Sequence, residues 1–218
     1  MAIIIPSFAA GAITNYADLV AELRDLLDDA DYSQAAIDRA LRKAEATFNR
    51  ELRTPEMETR ALLMVTGELN PLPVDFLAMR TLFFEGTPDR ILKSMSPASI
   101  VSTYGGYSGV PCAYSIEGRM IRVVPVGDAT LEMAYYARLT PLSDAAVSNW
   151  LLDRHPDLYI AGAMYHLAYR ERDTDGAALA ARQVAELLQS INQAGMRNRW
   201  GASPIVPQGM MQVRGARA

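Results

Sequence analysis

Residues 113–124 have the sequence AYSIEGRMIRVV, and this stretch decides how the middle of the chain folds. Residues 113–116 and 120–124 are two runs of mostly apolar and β-branched side chains. The tripeptide Glu117-Gly118-Arg119 separates them, and its glycine supplies the positive φ that a tight turn requires. The stretch therefore predicts a β-hairpin, and this is the strongest hairpin signal in the sequence.

Further strand-like runs lie on both sides of this hairpin, separated by Gly, Pro and Asn. They are residues 61–66, 78–84, 91–95 and 129–139. In the last run Leu131, Met133 and Tyr135 alternate with more polar neighbours, a pattern typical of a half-buried strand. Ser96 and Pro97 open a short helix within the region. We predict an antiparallel β-meander of roughly four to six strands.

The residues before this region show helical periodicity. Asn15 can cap a helix that begins at Tyr16, with Asp18 three residues after the cap. A second helix follows Ser33 and ends before Pro55. The apolar positions that recur every three or four residues are Tyr16, Leu19, Val20, Leu23, Leu26 and Leu27 in the first helix and Ile37, Leu41, Ala44, Phe48 and Leu52 in the second. The two helices are predicted to pair antiparallel across the acidic turn 28–31.

The chain becomes helical again after the β-rich region. A short helix around residues 149–152 leads to a longer one that begins at Pro156, and the last helix covers about 177–194. Small residues on the last two helices favour close packing. Helical periodicity ends after Gly195, and residues 201–218 contain no acidic side chain. We expect this end of the chain to be a flexible tail.

The order helix, strand, helix predicts an α+β fold, in which a helical bundle from both chain ends carries an inserted antiparallel β-meander and a flexible C-terminal tail. The predicted divisions are 1–14 for an N-terminal arm, 15–54 for a helix pair, 55–142 for the β-rich insertion, 143–196 for the C-terminal helices and 197–218 for the tail.

Composition limits the classes of function. The 218 residues are 50% hydrophobic, which is enough to build a core, and the net charge is −4. This charge argues against a protein that wraps DNA by neutralising its phosphates. Cys112 is the single cysteine, which excludes an intrachain disulfide and a cysteine-based zinc cluster. We expect neither a signal peptide nor a membrane-spanning segment, and synthesis in the cytoplasm.

Two short patterns resemble chemical motifs without meeting their requirements. Residues 106–110, GYSGV, place Val110 where a nucleophile elbow needs glycine, so a mobile loop is the better interpretation. Residues 173–176, DTDG, open like a calcium loop, but their glycine is in the fourth position and Val184 occupies the twelfth. A turn between helices with Asp or Thr as N-cap explains this pattern better.

The histidines and tyrosines give no catalytic pattern either. His155 and His166 are nearly three helical turns apart and cannot share one metal on a helix. The tyrosines concentrated in the β-rich region favour sheet packing or subunit contact over base stacking, because Lys and Arg do not alternate with them. These tyrosines are Tyr104, Tyr107, Tyr114, Tyr135 and Tyr136. We expect no enzyme activity, no cofactor and no metal site.

Taken in order, these segments resemble the head-to-tail adaptor proteins of tailed bacteriophages, from about Asn15 to Asn192. The segments that carry the resemblance are the helix pair (18–27 and 37–52), residues 72–77 before a strand, the hairpin 114–125, residues 131–144, residues 149–152 and residues 156–159. The arm and the residues after Trp200 lie outside it.

The resemblance implies a structural virion protein at the head–tail junction. Such adaptors form a ring, usually of twelve subunits, under the portal protein, join the capsid to the next tail or neck protein and line part of the DNA channel. The implied partners are therefore other copies of the chain, the portal and that neck protein, with DNA passing through and no membrane.

Family members gain a docking surface by ordering a terminal segment against the portal, and the tail here has suitable chemistry. Methionines offer adaptable apolar contacts, and arginines can pair with acidic partner groups. The portal-binding candidates are Arg197, Arg199, Trp200, Met210, Met211, Val213 and Arg214. Ordering the tail only on the portal would couple folding to binding. The alternative is a disordered end without a role.

Two further interpretations stay open. Asp25, Asp28, Asp29 and Asp31 are possible channel-facing groups, which would repel DNA phosphates and let the genome slide. A solvated helix face and turn explains them equally well. The rival for the whole protein is a tail-fibre or receptor- and glycan-binding virion component, with the tyrosine-rich hairpin region as its binding site.

Overall fold

A computed structural model describes residues 13–200, and over this range the chain is mixed α+β with six α-helices and two β-sheets. The helices are α1 (Tyr16–Leu26), α2 (Gln34–Glu51), α3 (Pro97–Tyr104), α4 (Trp150–Arg154), α5 (Pro156–Glu171) and α6 (Thr174–Trp200), with a short 3₁₀ helix at Pro55–Met57. None of the helices in this range combines the length and the hydropathy needed to span a bilayer.

Eight strands form two four-stranded sheets, so the prediction of one continuous meander was wrong. The strands are β1 (Glu58–Val65), β2 (Leu69–Pro71), β3 (Phe76–Phe84), β4 (Thr87–Ile91), β5 (Lys93–Ser94), β6 (Ala113–Glu117), β7 (Met120–Val124) and β8 (Ala129–Ala137). The first sheet has the order β1-β8-β3-β4 and the second β2-β7-β6-β5. All pairs are antiparallel except β5–β6, which is parallel.

The predicted strand 91–95 divides between the two sheets. The Leu92 N–H donates to the Leu82 carbonyl of the first sheet at 2.8 Å, whereas the Lys93 N–H donates to Cys112 at 2.9 Å beside the second. The chain therefore crosses from one sheet to the other between adjacent residues. The predicted hairpin is confirmed as β6 and β7, and Gly118 has φ 64° in its turn.

The two sheets enclose a hydrophobic core between them. Leu131, Met133 and Tyr135 of β8 are buried there, which confirms the predicted alternation. Tyr136 points to the other side of β8 and is also buried, because it packs into a second core made by the helices. β8 thus contributes side chains to both cores of the molecule.

Helices α1, α2, α5 and α6 contribute to that second core. Its predicted members on α1 and α2 are confirmed as buried, except for Leu26, which is exposed, and Leu27, which is half-buried. Leu26 is the last residue of α1, and Leu27 is its C-cap. The predicted cap is confirmed, since the Asn15 side chain accepts a hydrogen bond from the Asp18 N–H at 3.0 Å.

A buried polar network attaches the segment after β8 to α2. The Glu45 carboxylate, 4% exposed, accepts hydrogen bonds from the Leu142 N–H at 2.8 Å and from the Tyr159 hydroxyl at 3.2 Å. One turn later Asn49 accepts from the Leu139 N–H at 2.8 Å. Asn149, which caps α4, donates to the same tyrosine hydroxyl. The segment between β8 and α4 is therefore fixed against the helices although it lacks regular structure.

The last helix is longer than the sequence predicted. The expected end near residue 194 was wrong, because α6 continues to Trp200. Gly195 lies inside the helix, and a Cβ added there would come within 3.1 Å of the Pro55 side chain. Asn192 accepts from the Arg53 N–H and donates to the Glu51 carbonyl, each at 3.0 Å. Glycine here permits close packing of α6 on the end of α2 and does not end the helix.

Candidate interaction surfaces

Within residues 13–200 no group of three or more His, Cys, Asp or Glu side chains is placed to hold a metal ion. The DTDG pattern is a helix start, as predicted, because the Asp173 carboxylate accepts the Gly176 N–H at 2.9 Å. His155 lies between α4 and α5. Burial, together with the charge of Lys43, lowers the pKa of His166.

The tyrosines of the β-rich region are mostly structural. Tyr114 and Tyr135 are buried between the sheets and Tyr136 in the helical core, as expected of sheet packing. Tyr107 alone among the five is largely exposed, at 66%. An aromatic surface for a glycan or for nucleic acid needs several exposed rings side by side. The described residues of this region do not offer one.

The acidic turn, defined as Asp25, Asp28, Asp29 and Asp31, lies exposed between α1 and α2. Arg24 holds its shape by donating to the Gln34 side chain at 2.9 Å, and Asp29 accepts the Asp31 N–H at 3.0 Å. Asp28 follows the cap of α1 with a left-handed φ of 51°. The structure therefore brings all four predicted carboxylates to one projecting turn.

A basic groove, which the sequence analysis did not predict, lies between α2 and the junction of α5 with α6. It has a volume of about 590 Å³. Its basic members Arg39, Lys43, Arg170 and Arg172 are all exposed. Its apolar floor and rim are Ala36, Ala40, Leu167 and Tyr169, the last 75% exposed. Only the spacing of Arg39 and Lys43, four residues apart on one helix face, gave a sequence signal, since the other two arginines lie far away in the chain.

Some of the predicted portal-binding residues lie on α6, and the others lie after residue 200, outside the described residues. Arg197 and Arg199 lie on the last turns of α6. Arg199, with a side chain 21% exposed, donates to the Tyr136 hydroxyl at 2.6 Å and pairs with Glu58, so it joins α6 to the first sheet. Trp200 ends the helix. Met210, Met211, Val213 and Arg214 lie outside the described residues.

The comparison with protein families decides the class of the protein. The model of the family described as SU10 adaptor protein matches residues 14–208. The chain belongs to the SU10 adaptor protein family. It is accordingly a phage head-to-tail adaptor-type protein and a virion component. No curated protein matches the adaptor.

The extent of the match refines the resemblance drawn from the sequence. The resemblance was expected to end at Asn192 and to leave out the residues after Trp200. The family match continues to residue 208 and so includes all of α6 and the first residues beyond it. It begins at residue 14, next to the cap of α1. The helices at both ends of the adaptor and both sheets therefore belong to the family pattern.

Proposed function

We propose that this adaptor assembles into a ring beneath the portal, joins the capsid to the tail and lines part of the DNA channel, without catalysing a reaction. The observation that carries the proposal is the family match, which extends over both sheets and the helices at both ends. Its partners would be further copies of itself, the portal and the next tail or neck protein. We also treat the helices from the two chain ends as a bundle that carries the sheets.

Exposed apolar side chains on the first sheet support a protein that is covered by neighbours. Leu62 of β1 is 58% exposed and Ile91 of β4 is 62% exposed. Along the strand register Glu132 and the buried Phe83 lie between them, so the two exposed side chains are at opposite edges of the sheet. Met64, two residues along β1, is 72% exposed. Leu62 and Met64 form a small apolar patch on the edge strand β1, which a neighbouring protein would cover.

The portal-binding segment of the proposal starts at the end of α6. The residues from 201 onward contain Met210, Met211, Val213 and Arg214 and no acidic side chain. Arg197 and Trp200 precede them on the last turns of α6. Apolar contacts and arginine pairs with acidic groups of the portal would hold this segment. Arg199 has a second role, because its contacts with Glu58 and Tyr136 fix the helix from which the segment departs.

The acidic turn is one candidate for the wall of the channel. Its four carboxylates are exposed, as a surface that faces DNA phosphates and repels them must be. If the turn faces the channel, DNA should pass faster than it would along a wall without these carboxylates. The carboxylates must then remain unpaired in the ring.

Imaging of the purified protein by negative stain, alone and after mixing with the portal protein of the same virus, tests the proposal. We expect rings in one or both preparations. Deleting residues 201–218 should leave the circular dichroism spectrum unchanged and abolish portal binding. A chain that stays monomeric in both preparations contradicts the ring, and a stable trimer that binds sugars would support a receptor-binding component instead. Unchanged portal binding after the deletion contradicts the role of the tail.

A further inference from the structure

We infer that the acidic turn of one adaptor copy docks in the basic groove of the next copy, so that adjacent subunits contact head to tail. The inference rests on the proposed ring and names its interface. The occupant of the groove is thus a second copy of this chain, and the two surfaces that meet are different surfaces of one fold.

The turn and the groove meet different faces of the first half of α2, and Tyr32, which follows the turn, contacts Glu171 and Arg170 beside the groove. On one side, Asp38 and Gln34 bond to the Tyr16 hydroxyl of α1, and the acidic turn joins these two helices. On the other side, Ala36 and Ala40 line the groove that α2 forms with the α5–α6 junction. A ring closes through heterologous contacts, in which each subunit presents one surface to one neighbour and a different surface to the other. The placement meets this requirement.

The chemistry of the two surfaces is complementary. Four exposed carboxylates project from the turn, and four exposed cationic side chains and one carboxylate, Asp173, surround the groove. Three of the four cations are arginines, whose planar guanidinium groups bind carboxylates through two parallel hydrogen bonds. The small floor residues Ala36 and Ala40 leave about 590 Å³ open to a turn that enters. The contact should therefore weaken as the salt concentration rises.

Backbone conformation marks the same two surfaces. Asp28 and Arg172, with φ of 51° and 63°, are the non-glycine residues of positive φ within residues 13–200. Each of them ends a helix, α1 or α5, at a position where glycine or asparagine is usual. One carries a negative charge in the acidic turn and the other a positive charge in the basic groove. The two helix ends thus place one charge of each sign at the two surfaces.

This interface and the channel-facing location exclude each other. Carboxylates paired with the arginines of the next subunit are neutralised, so they no longer repel the phosphates of DNA. The inference therefore places the acidic turn at the boundary between subunits and away from the channel wall. The groove, which remained without a role in the proposed function, becomes the counterpart of the turn.

Charge reversal and mixing test the inference. The turn variant is D25K/D31K and the groove variant is R39E/R172E. All four altered side chains are exposed, and none of them forms a side-chain hydrogen bond with another described residue. In the turn variant alone two lysines face the basic groove, and in the groove variant alone two glutamates face the acidic turn, so we expect ring formation, alone or on the portal, to fall about tenfold. In an equimolar mixture the two variants can alternate, and each contact again joins opposite charges. We expect the mixture to restore rings in mass photometry.

The variant D89K/D128K reverses two exposed aspartates in the β-rich region and serves as the matched control. It should form rings as the parent chain does, and thermal unfolding should show that all variants are folded. Rings formed by either reversal variant alone, or a folded mixture without rings, would overturn the interface while the ring itself stands. Absence of rings from the unaltered chain, alone and with portal, would instead overturn the proposed function.

Discussion

Glu45 is an ionisable side chain placed in the interior of the fold. Its carboxylate bonds to the Leu142 N–H and the Tyr159 hydroxyl, and so connects α2 both to the segment after β8 and to α5. Burial raises the pKa of Glu45 above its usual 4.5, although these two hydrogen bonds and the charge of Arg42 oppose the effect. Keeping this carboxylate charged at neutral pH therefore costs free energy of folding. Its two hydrogen bonds fix α2 to the segment after β8 and to α5.

The pH dependence of stability should reveal this cost. Because the native pKa is raised, the stability that Glu45 contributes is fully present below pH 4.5 and is lost as the pH rises through the native pKa. Glu45→Gln keeps an acceptor oxygen but carries no charge. We expect the free energy of unfolding of the variant, relative to the parent, to increase with pH across this window. Urea titrations at several pH values measure it, and a difference independent of pH would contradict the prediction.

Glu45→Ala is the complementary change at this position. It removes the acceptor and leaves the buried Leu142 N–H without its partner. An unsatisfied buried donor costs about 1–3 kcal/mol. The alanine variant should therefore be less stable than the glutamine variant at every pH, which separates the role of the hydrogen bonds from the role of the charge.

Gly162 lies at a close contact between α5 and α2. A Cβ there would lie 2.7 Å from the Phe48 ring and 3.0 Å from the Ala44 Cβ. Gly162→Ala should lower the free energy of unfolding by about 1–3 kcal/mol, since overpacking outweighs the gain in helix propensity. Gly67→Ala, where a Cβ meets nothing within 4 Å, is the control and should change stability little. An unchanged unfolding midpoint for Gly162→Ala would show that α5 and α2 can move apart without loss of stability.

At the scale of elements, the structure shows why α6 continues beyond its apparent end. Asn192 bonds to the chain on both sides of Leu52, Gly195 packs against Pro55, and Arg199 reaches Tyr136. These partners lie far from α6 in the sequence. A glycine near the end of an amphipathic pattern predicts a helix stop when only its neighbours are considered. The contact that keeps it helical becomes visible only in three dimensions.

Two truncated chains test the contribution of this helix end. A chain that ends at residue 200 retains the contacts of Gly195 and Arg199, whereas one that ends at residue 194 loses both. We expect the first to unfold at the same temperature as the full chain. The second should lose about 1–3 kcal/mol, because Glu58 and the Tyr136 hydroxyl lose a charged partner. Differential scanning calorimetry measures both, and equal melting temperatures for the two truncated chains would contradict the structural role of Arg199.

Local sequence patterns predicted the helices and strands well, but they did not predict which of these elements pack against each other. The Asn15 cap, the Gly118 turn and the alternation along β8 are encoded within a few residues, and all three are confirmed. The pairing of β1 with β8 joins positions about seventy residues apart, as in the Arg60–Glu132 ion pair, and no local pattern specifies it. The basic groove was missed for the same reason, since α2 and the α5–α6 junction meet only in the folded chain.

At the scale of the whole molecule, β8 and the polar network on α2 connect the two cores. Tyr136 contributes to the helical core from the first sheet, and Glu45 and Asn49 hold the segment that follows β8. The helices carry both charged surfaces and the sheets carry the exposed apolar side chains of β1 and β4, and the two parts are thus held together. An adaptor that meets other copies through one part and further virion proteins through another requires such a connection.

Mass photometry of the full-length adaptor, alone and mixed with the portal protein of its own virus, measures whether the adaptor forms a ring. We expect a closed ring of adaptor copies, about twelve per portal as the family resemblance implies, whose population falls as salt is added. An adaptor that remains a single chain at every ratio of the two proteins, alone and with the portal, would contradict this expectation.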